Sequence, residues 1–333
     1  MPDPGFLTRF HRRAPQRKDG EMSVASRPNS TLALPSIAPS LAPVNASPRS
    51  SSSTTYTESQ LRAMLTLLGD DDPEIVRTIQ DQFLSVGDRA YELLEENRLH
   101  PEPSVRRRVR SLLNERAASR YDSEFLAFVL SQGEHFDLEQ GVWKFTLTTH
   151  PDVNVGAFQA QLDSWADQVR ERLGPARGPG VLLDTLNDVL FQQLGFRGNA
   201  ENYFDPANSY LNRVMDRRLG IPISLCALYL FLGRRLGLPL VGIGMPGHFL
   251  CRFQSTTEEI FVDPFHGGKL LSRLDCRKRL AELAIEYDER HLAPVSNRRT
   301  LQRMIANLHL IHKERRHREE VERLQRYLVA LSR

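Results

Sequence analysis

The chain has 333 residues, more than one typical domain of ~150 residues and fewer than three. Lys+Arg 44 against Asp+Glu 41 leaves a net charge of +3, too close to balance for a nucleic-acid protein that depends on bulk positive charge. Cys226, Cys251 and Cys276 form no CxxC pair and are too sparse for a disulfide scaffold, so a reducing, cytoplasmic compartment is expected. No apolar run reaches the ~18 residues of a membrane span, so a membrane role is not expected.

Residues 1–57 read as a disordered tail. Pro28, Pro35, Pro39, Pro43 and Pro48, with the serine run Ser50–Ser53, leave too little apolar surface to offset the entropy of ordering, ~1–2 kcal/mol per residue for the backbone. Arg9, Arg12, Arg13, Arg17 and Lys18 precede no apolar segment, so a secretory signal is not expected. The Arg- and Ser-rich, acid-poor start also has the look of a transit peptide, but a plain tail accounts for the composition better.

From about residue 58 the pattern is helical. Thr57 and Gln60 have capping-box spacing, and Asp72–Pro73 reads as an N-cap followed by proline at the first helical position. Ile75, Ile79, Phe83 and Val86 form one expected stripe, and Val105, Val109, Leu112 and Leu113 another. Arg106, Arg107, Arg108 and Arg110 lie on that second helix; a solvated face explains them better than a phosphate site. Phe158, Leu162, Trp165, Val169 and Leu173 mark a further helix. The Gly174–Pro175 and Gly178–Pro179–Gly180 breaks then suggest a boundary. A helical domain over 58–175 is expected.

Helices are expected over 181–194, 208–219 and 222–236, the last opened by Pro222 and closed by Gly237. The period then shortens. Residues 240–245, 249–253 and 259–262 read as three strands, giving an α+β core with a small antiparallel sheet over 176–290. Two apolar stripes, Leu301 to Ile311 and Val321 to Leu331, predict a helical hairpin over 296–333.

The residues with chemical potential lie between 202 and 268. His248 opens one expected strand and Asp263 closes its antiparallel neighbour, so the two ends should meet. A carboxylate beside an imidazole fixes its tautomer, as thiol and serine hydrolases require. Gly247 leaves the approach to His248 free of side-chain bulk. Asn202, Tyr203, Asp205, Asn208 and Ser209 form a polar cluster with two open readings: they line the cleft near His248, or they cap the helix expected at 208. His248, Asp263 and His266 lack the tight spacing of a metal site, and the glycines do not form a phosphate loop; neither metal nor cofactor is expected.

The stretches 202–225, 244–250 (Gly-Met-Pro-Gly-His-Phe-Leu) and 262–268 (Val-Asp-Pro-Phe-His-Gly-Gly) resemble the transglutaminase-like superfamily. Residues 137–290 are more closely similar to its bacterial SirB-type branch, whose members often end in tetratricopeptide-like repeats, matching the C-terminal helix pair. The resemblance implies a papain-like core with a Cys–His–Asp triad. His248 and Asp263 take the positions of its histidine and aspartate. The nucleophile position falls on Pro222, which carries no nucleophile. Cys226, one helical turn further, is the one substitute thiol in view, and a small buried core residue is the simpler account of it. Ser224 fits a first-turn residue bonding the backbone, Cys251 falls on the opposite sheet face from His248, and Cys276 has no supporting context. Two functions follow. One is a pseudoenzyme that binds a protein or peptide at the His–Asp cleft. The other is a thiol-dependent amide hydrolase or acyltransferase using Cys226, His248 and Asp263. A purely structural His–Asp tie is the remaining possibility.

Overall fold

The computed structural model describes residues 56–333 except 135, 175–177 and 256–257. The expected N-terminal tail, apart from its last two residues, lies outside the described residues, as does Pro175.

Four helices come first. α1 (Glu58–Leu67) starts at the anticipated box: the Gln60 amide donates to the Thr57 side chain, and the Thr57 amide to the Gln60 side chain. α2 (Pro73–Ser85) is capped by Asp72, whose carboxylate accepts from the Glu74 amide at 2.8 Å. Its buried face is Val76, Ile79 and Phe83, whereas Ile75 is exposed, a shift of one position from the expected stripe. α3 (Asp88–Glu96) and the long α4 (Pro103–Ser131) complete the first bundle. Two arginines of the α4 basic run are spent within the chain. Arg106 donates to the carbonyls of His100 and Pro101, and Arg108 to those of Leu68 and Asp70.

α4 joins two apolar clusters. Its first half contributes Val105, Val109, Leu112 and Leu113 to a cluster with α1, α2 and α3. Its second half contributes Phe125, Phe128 and Val129 to the main core. That core takes in α5 (Leu138–Leu147), α6 (Val155–Leu173) and α7 (Pro179–Asn187), and runs on to Leu331. Apolar packing is therefore continuous across the glycine- and proline-rich break at 174–180.

After a π-helical turn at Asp188–Gln193, β1 (Arg197–Gly198) pairs in parallel with β2 (Leu219–Gly220). Between them lie a short 3-10 turn (Pro206–Asn208) and α8 (Leu211–Arg217). The central helix α9 (Pro222–Arg235) is buried along most of its length. The main sheet is antiparallel, in the order β3 (Leu240–Ile243), β4 (Leu250–Gln254), β5 (Glu259–Asp263), β6 (Lys269–Leu271). β6 is additional to the three strands expected. α10 (Arg273–Glu282) follows and buries only Cys276 and Leu280.

The C-terminal hairpin is α11 (Asn297–Glu314) and α12 (Arg318–Leu331). Leu301, Ile305 and Leu308 of α11 and Leu324 and Tyr327 of α12 join the main core. Arg298 fastens the pair. Its buried guanidinium donates to the Val129 and Gln132 carbonyls at 3.0 and 3.1 Å, and to those of Ala330 and Leu331 at 2.7 and 2.9 Å. These are the carbonyl ends of α4 and α12, which have no partner inside their own helices. Among the described residues, no helix is long and apolar enough to cross a membrane.

Candidate functional site

Strand register builds the site. Cys251 of β4 pairs with Val262 of β5, so the start of β4 lies beside the end of β5. His248 sits just before β4, after Gly247 at φ +70°, a left-handed turn that favours glycine. Asp263 closes β5. The expected meeting occurs: His248 Nε2 is 2.9 Å from each Asp263 oxygen, and both side chains are buried.

Asp263 holds two further groups on the same oxygen. His266 Nδ1 and Arg279 Nη1 each lie 2.8 Å from Oδ2. Burial pushes the Asp263 carboxyl upward, but the bonds and charges of His248 and His266 outweigh it and hold the group well below the usual carboxylate range. Asp263 is thus an ionised, acceptor-only group, and each of its partners must donate. Nε2 of His248 and Nδ1 of His266 therefore carry protons.

The second nitrogen of His248 is also engaged. Arg279 Nη2 stands 3.3 Å from Nδ1. A guanidinium only donates, so Nδ1 is an acceptor and the ring is neutral. The electrostatics agree: burial lowers the His248 pKa, Asp263 opposes that, and Arg279 reinforces it.

The thiols lie behind this cluster. Cys226 is fully buried in α9, and its Sγ donates to the Phe249 carbonyl at 3.3 Å. Burial pushes its pKa well above the ordinary value, and neighbouring Cys251 adds to the rise. Cys251 Sγ is directed to the Cys226 carbonyl at 3.6 Å. Cys276 is buried in α10, its thiol raised to about 11 by burial. Pro222 is the buried first residue of α9, which β2 delivers beside β1.

The polar cluster at 202–209 is mainly a knot. The buried Asn208 donates to the carbonyls of Asn202 and Tyr203 at 2.8 and 3.1 Å and accepts from Asn199 at 3.0 Å. Its own carbonyl accepts from Ser224 Oγ at 2.6 Å, and that oxygen takes the Ile221 amide at 3.0 Å. Asn208 does not cap α8, which starts three residues later at Leu211; the helix expected from 208 is split into a 3-10 turn and a short α-helix. Asp205 caps the 3-10 turn through the Ala207 amide and pairs with Arg217 at 2.8 Å. Ser209 is buried, and its hydroxyl has no hydrogen-bond partner among the described residues. Tyr203 alone of the group reaches toward the imidazole, through Phe265. That ring lies 6.1 Å from Tyr203 and 6.1 Å from His248, edge-on to both.

The sequence offers His266 only as a metal ligand that its spacing does not support, and it gives no sign of Arg303 and little of Arg279. Arg303 of α11 donates to the Met245 and His248 carbonyls at 3.0 and 2.8 Å, clamping the turn that carries the histidine. Arg279 lies three residues after the buried Cys276, on the same side of the helix, a faint signal that it points inward. The ligand atoms of His248, Asp263 and His266 lie within 4.8 Å of one another. Each carboxylate oxygen already accepts hydrogen bonds, and Arg279 supplies the counter-charge that a cation would bring.

Residues 156–306 match the model of the transglutaminase-like superfamily, so the chain carries a domain of that class. Its curated relatives include a UPF0162 protein of Xylella fastidiosa (strain 9a5c), 37% identical over 169 residues, covering 49% of this chain and 60% of that protein. A UPF0162 protein of Vibrio cholerae is 37% identical over 138 residues, 40% of this chain and 51% of that protein. Human F-box only protein 21 is 33% identical over 187 residues, 47% of this chain but 29% of its own length. The chain thus spans at most about 60% of these relatives. No solved structure matches it.

Proposed function

We propose that this chain is a SirB-type transglutaminase-like protein that has given up thiol catalysis and binds a protein or peptide at the His248–Asp263 cleft. The carrying observation is the engagement of both His248 nitrogens, Nε2 by Asp263 and Nδ1 by Arg279. A general base needs a free nitrogen within ~3 Å of the proton it takes. Cys226 directs its proton to the Phe249 carbonyl instead, and its burial disfavours the thiolate that would attack. The resemblance that puts Pro222 at the nucleophile position supports the same reading.

In this proposal Tyr203 and Phe265 form the aromatic wall of the cleft. Asp205 and Asn208 hold that wall in place, and the buried Ser209 packs beneath it. The α11–α12 pair is a tetratricopeptide-like unit whose exposed face offers protein contacts. The working division is a helical domain over 58–175, the transglutaminase-like core over 176–290 and the hairpin over 296–333. The unpaired cysteines point to the cytoplasm as its location.

The test has two arms. Iodoacetamide should alkylate Cys226 far more slowly in the native chain than in urea, and the native chain should show no amidase turnover that Cys226→Ala removes. In a random-peptide display selection, enriched peptides should lose affinity for Tyr203→Ala by at least about tenfold, one buried aromatic contact being worth ~1.4 kcal/mol or more. Amide turnover abolished by Cys226→Ala would replace this reading with the hydrolase.

A further inference from the structure

The reactive imidazole of this site is not the buried one. We propose that His266 is an acyl-accepting histidine, whose Nε2 takes an acyl group from an activated ester. The inference holds whether or not the cleft binds a peptide, because it rests on the exposed ring of His266 and its own bond to Asp263.

Three observations carry it. First, Asp263 is acceptor-only, so the 2.8 Å contact with His266 places a proton on Nδ1. In the neutral ring that leaves the electron pair on Nε2, which no described residue engages. Second, the two rings of the site differ in access. The His266 side chain is 49% exposed, whereas that of His248 is 4% exposed and has both nitrogens bonded. Third, the turn that carries His266 is rigidly built. Pro264–His266 form a 3-10 turn, the Gly268 amide returns to the Asp263 carbonyl at 2.9 Å, and Asn187 donates to the Gly268 carbonyl at 2.8 Å. Gly268 is required there: it sits at φ +76°, and a Cβ would fall 2.3 Å from Asn187 Oδ1. Phe265, with its ring centroid 5.1 Å from that of His266, provides an apolar flank for an acyl group.

The step balances without any oxidant or metal. The Nε2 electron pair attacks the ester carbonyl carbon, an N–C bond forms, and the C–O bond to the leaving group breaks. The leaving group departs with that electron pair as a phenolate or alkoxide. Asp263 steadies the charge that the acylated ring acquires. Water then attacks the same carbon and gives one proton to solvent; the N–C bond breaks, the ring recovers its electron pair, and the carboxylic acid releases the second proton to solvent. Histidine is among the side chains that form covalent intermediates, and a carboxylate bonded to Nδ1–H fixes the tautomer that leaves Nε2 its electron pair.

p-Nitrophenyl acetate is the probe, used with the full chain. Rapid-quench mass spectrometry should find a transient acetyl group on the peptide that contains His266. His266→Gln should lower p-nitrophenolate release above background by at least about tenfold, a floor below the ~10²–10⁴-fold typical of one positioned acid–base group. Should that variant fail to fold, diethyl pyrocarbonate mapping of the unaltered chain is the second measurement: His266 should be carbethoxylated at least about tenfold faster than His248. Undiminished release from a folded His266→Gln, or His248 modified as fast as His266, overturns the proposal.

Discussion

Arg279 stands on the one nitrogen of His248 that Asp263 leaves uncommitted, 3.3 Å from Nδ1. It spans the pair, since its other terminal nitrogen is 2.8 Å from Asp263. Arg279→Ala should therefore raise the His248 pKa, because a cation that disfavours the imidazolium is removed. Histidine NMR titration of the variant should show that upward movement. A downward shift, or none, would mean that the guanidinium does not act on the ring.

Acid should weaken the fold in two stages. The folded pKa of His248 lies below the ordinary ~6.5, so its contribution is complete above ~6.5 and is lost as pH falls toward the folded value. His312, buried beside His317 at 3.1 Å between Nδ1 atoms, has the same sign. Asp263 is likewise depressed, so its contribution is complete above ~4 and is lost at lower pH. Thermal melts should show a flat Tm above neutrality, a first decline below about pH 6.5 and a second below about pH 4. Asp263→Asn should remove most of the second decline and cost about 1.5–3 kcal/mol at neutral pH, because the buried His248 N–H loses its charged acceptor. A Tm that rises on acidification would contradict the assignment.

Arg298 should be among the most sensitive positions outside the site. Its guanidinium satisfies four carbonyls at the ends of α4 and α12. Arg298→Met keeps much of the apolar stem but leaves those acceptors unpaired, each unsatisfied buried group costing ~1–3 kcal/mol. Urea unfolding should show a loss of at least about 3 kcal/mol. A loss under about 1 kcal/mol would mean that water replaces the arginine without penalty.

The chain announces its local signals more clearly than its long-range ones. Thr57 and Asp72 cap their helices as read, since capping depends on residues two or three apart. The His248–Asp263 meeting was legible because antiparallel pairing brings strand ends together. Arg279 was not, because α10 buries only Cys276 and Leu280 and has no clear apolar stripe to orient it. β6 is three residues long and follows two glycines, too short for alternation to show. Asn208 has a residue type that favours helix starts, but tertiary demand won: its side chain bonds the Asn202 carbonyl, and its own carbonyl accepts from Ser224 at the start of α9.

The tautomer of His248 tests the account most directly. Long-range proton–nitrogen correlation spectra of the histidine-labelled chain near pH 7 should show a neutral ring protonated on Nε2 alone, as Asp263 and Arg279 require. An imidazolium, protonated on both nitrogens and paired with a Cys226 thiolate, would contradict it and restore the thiol enzyme.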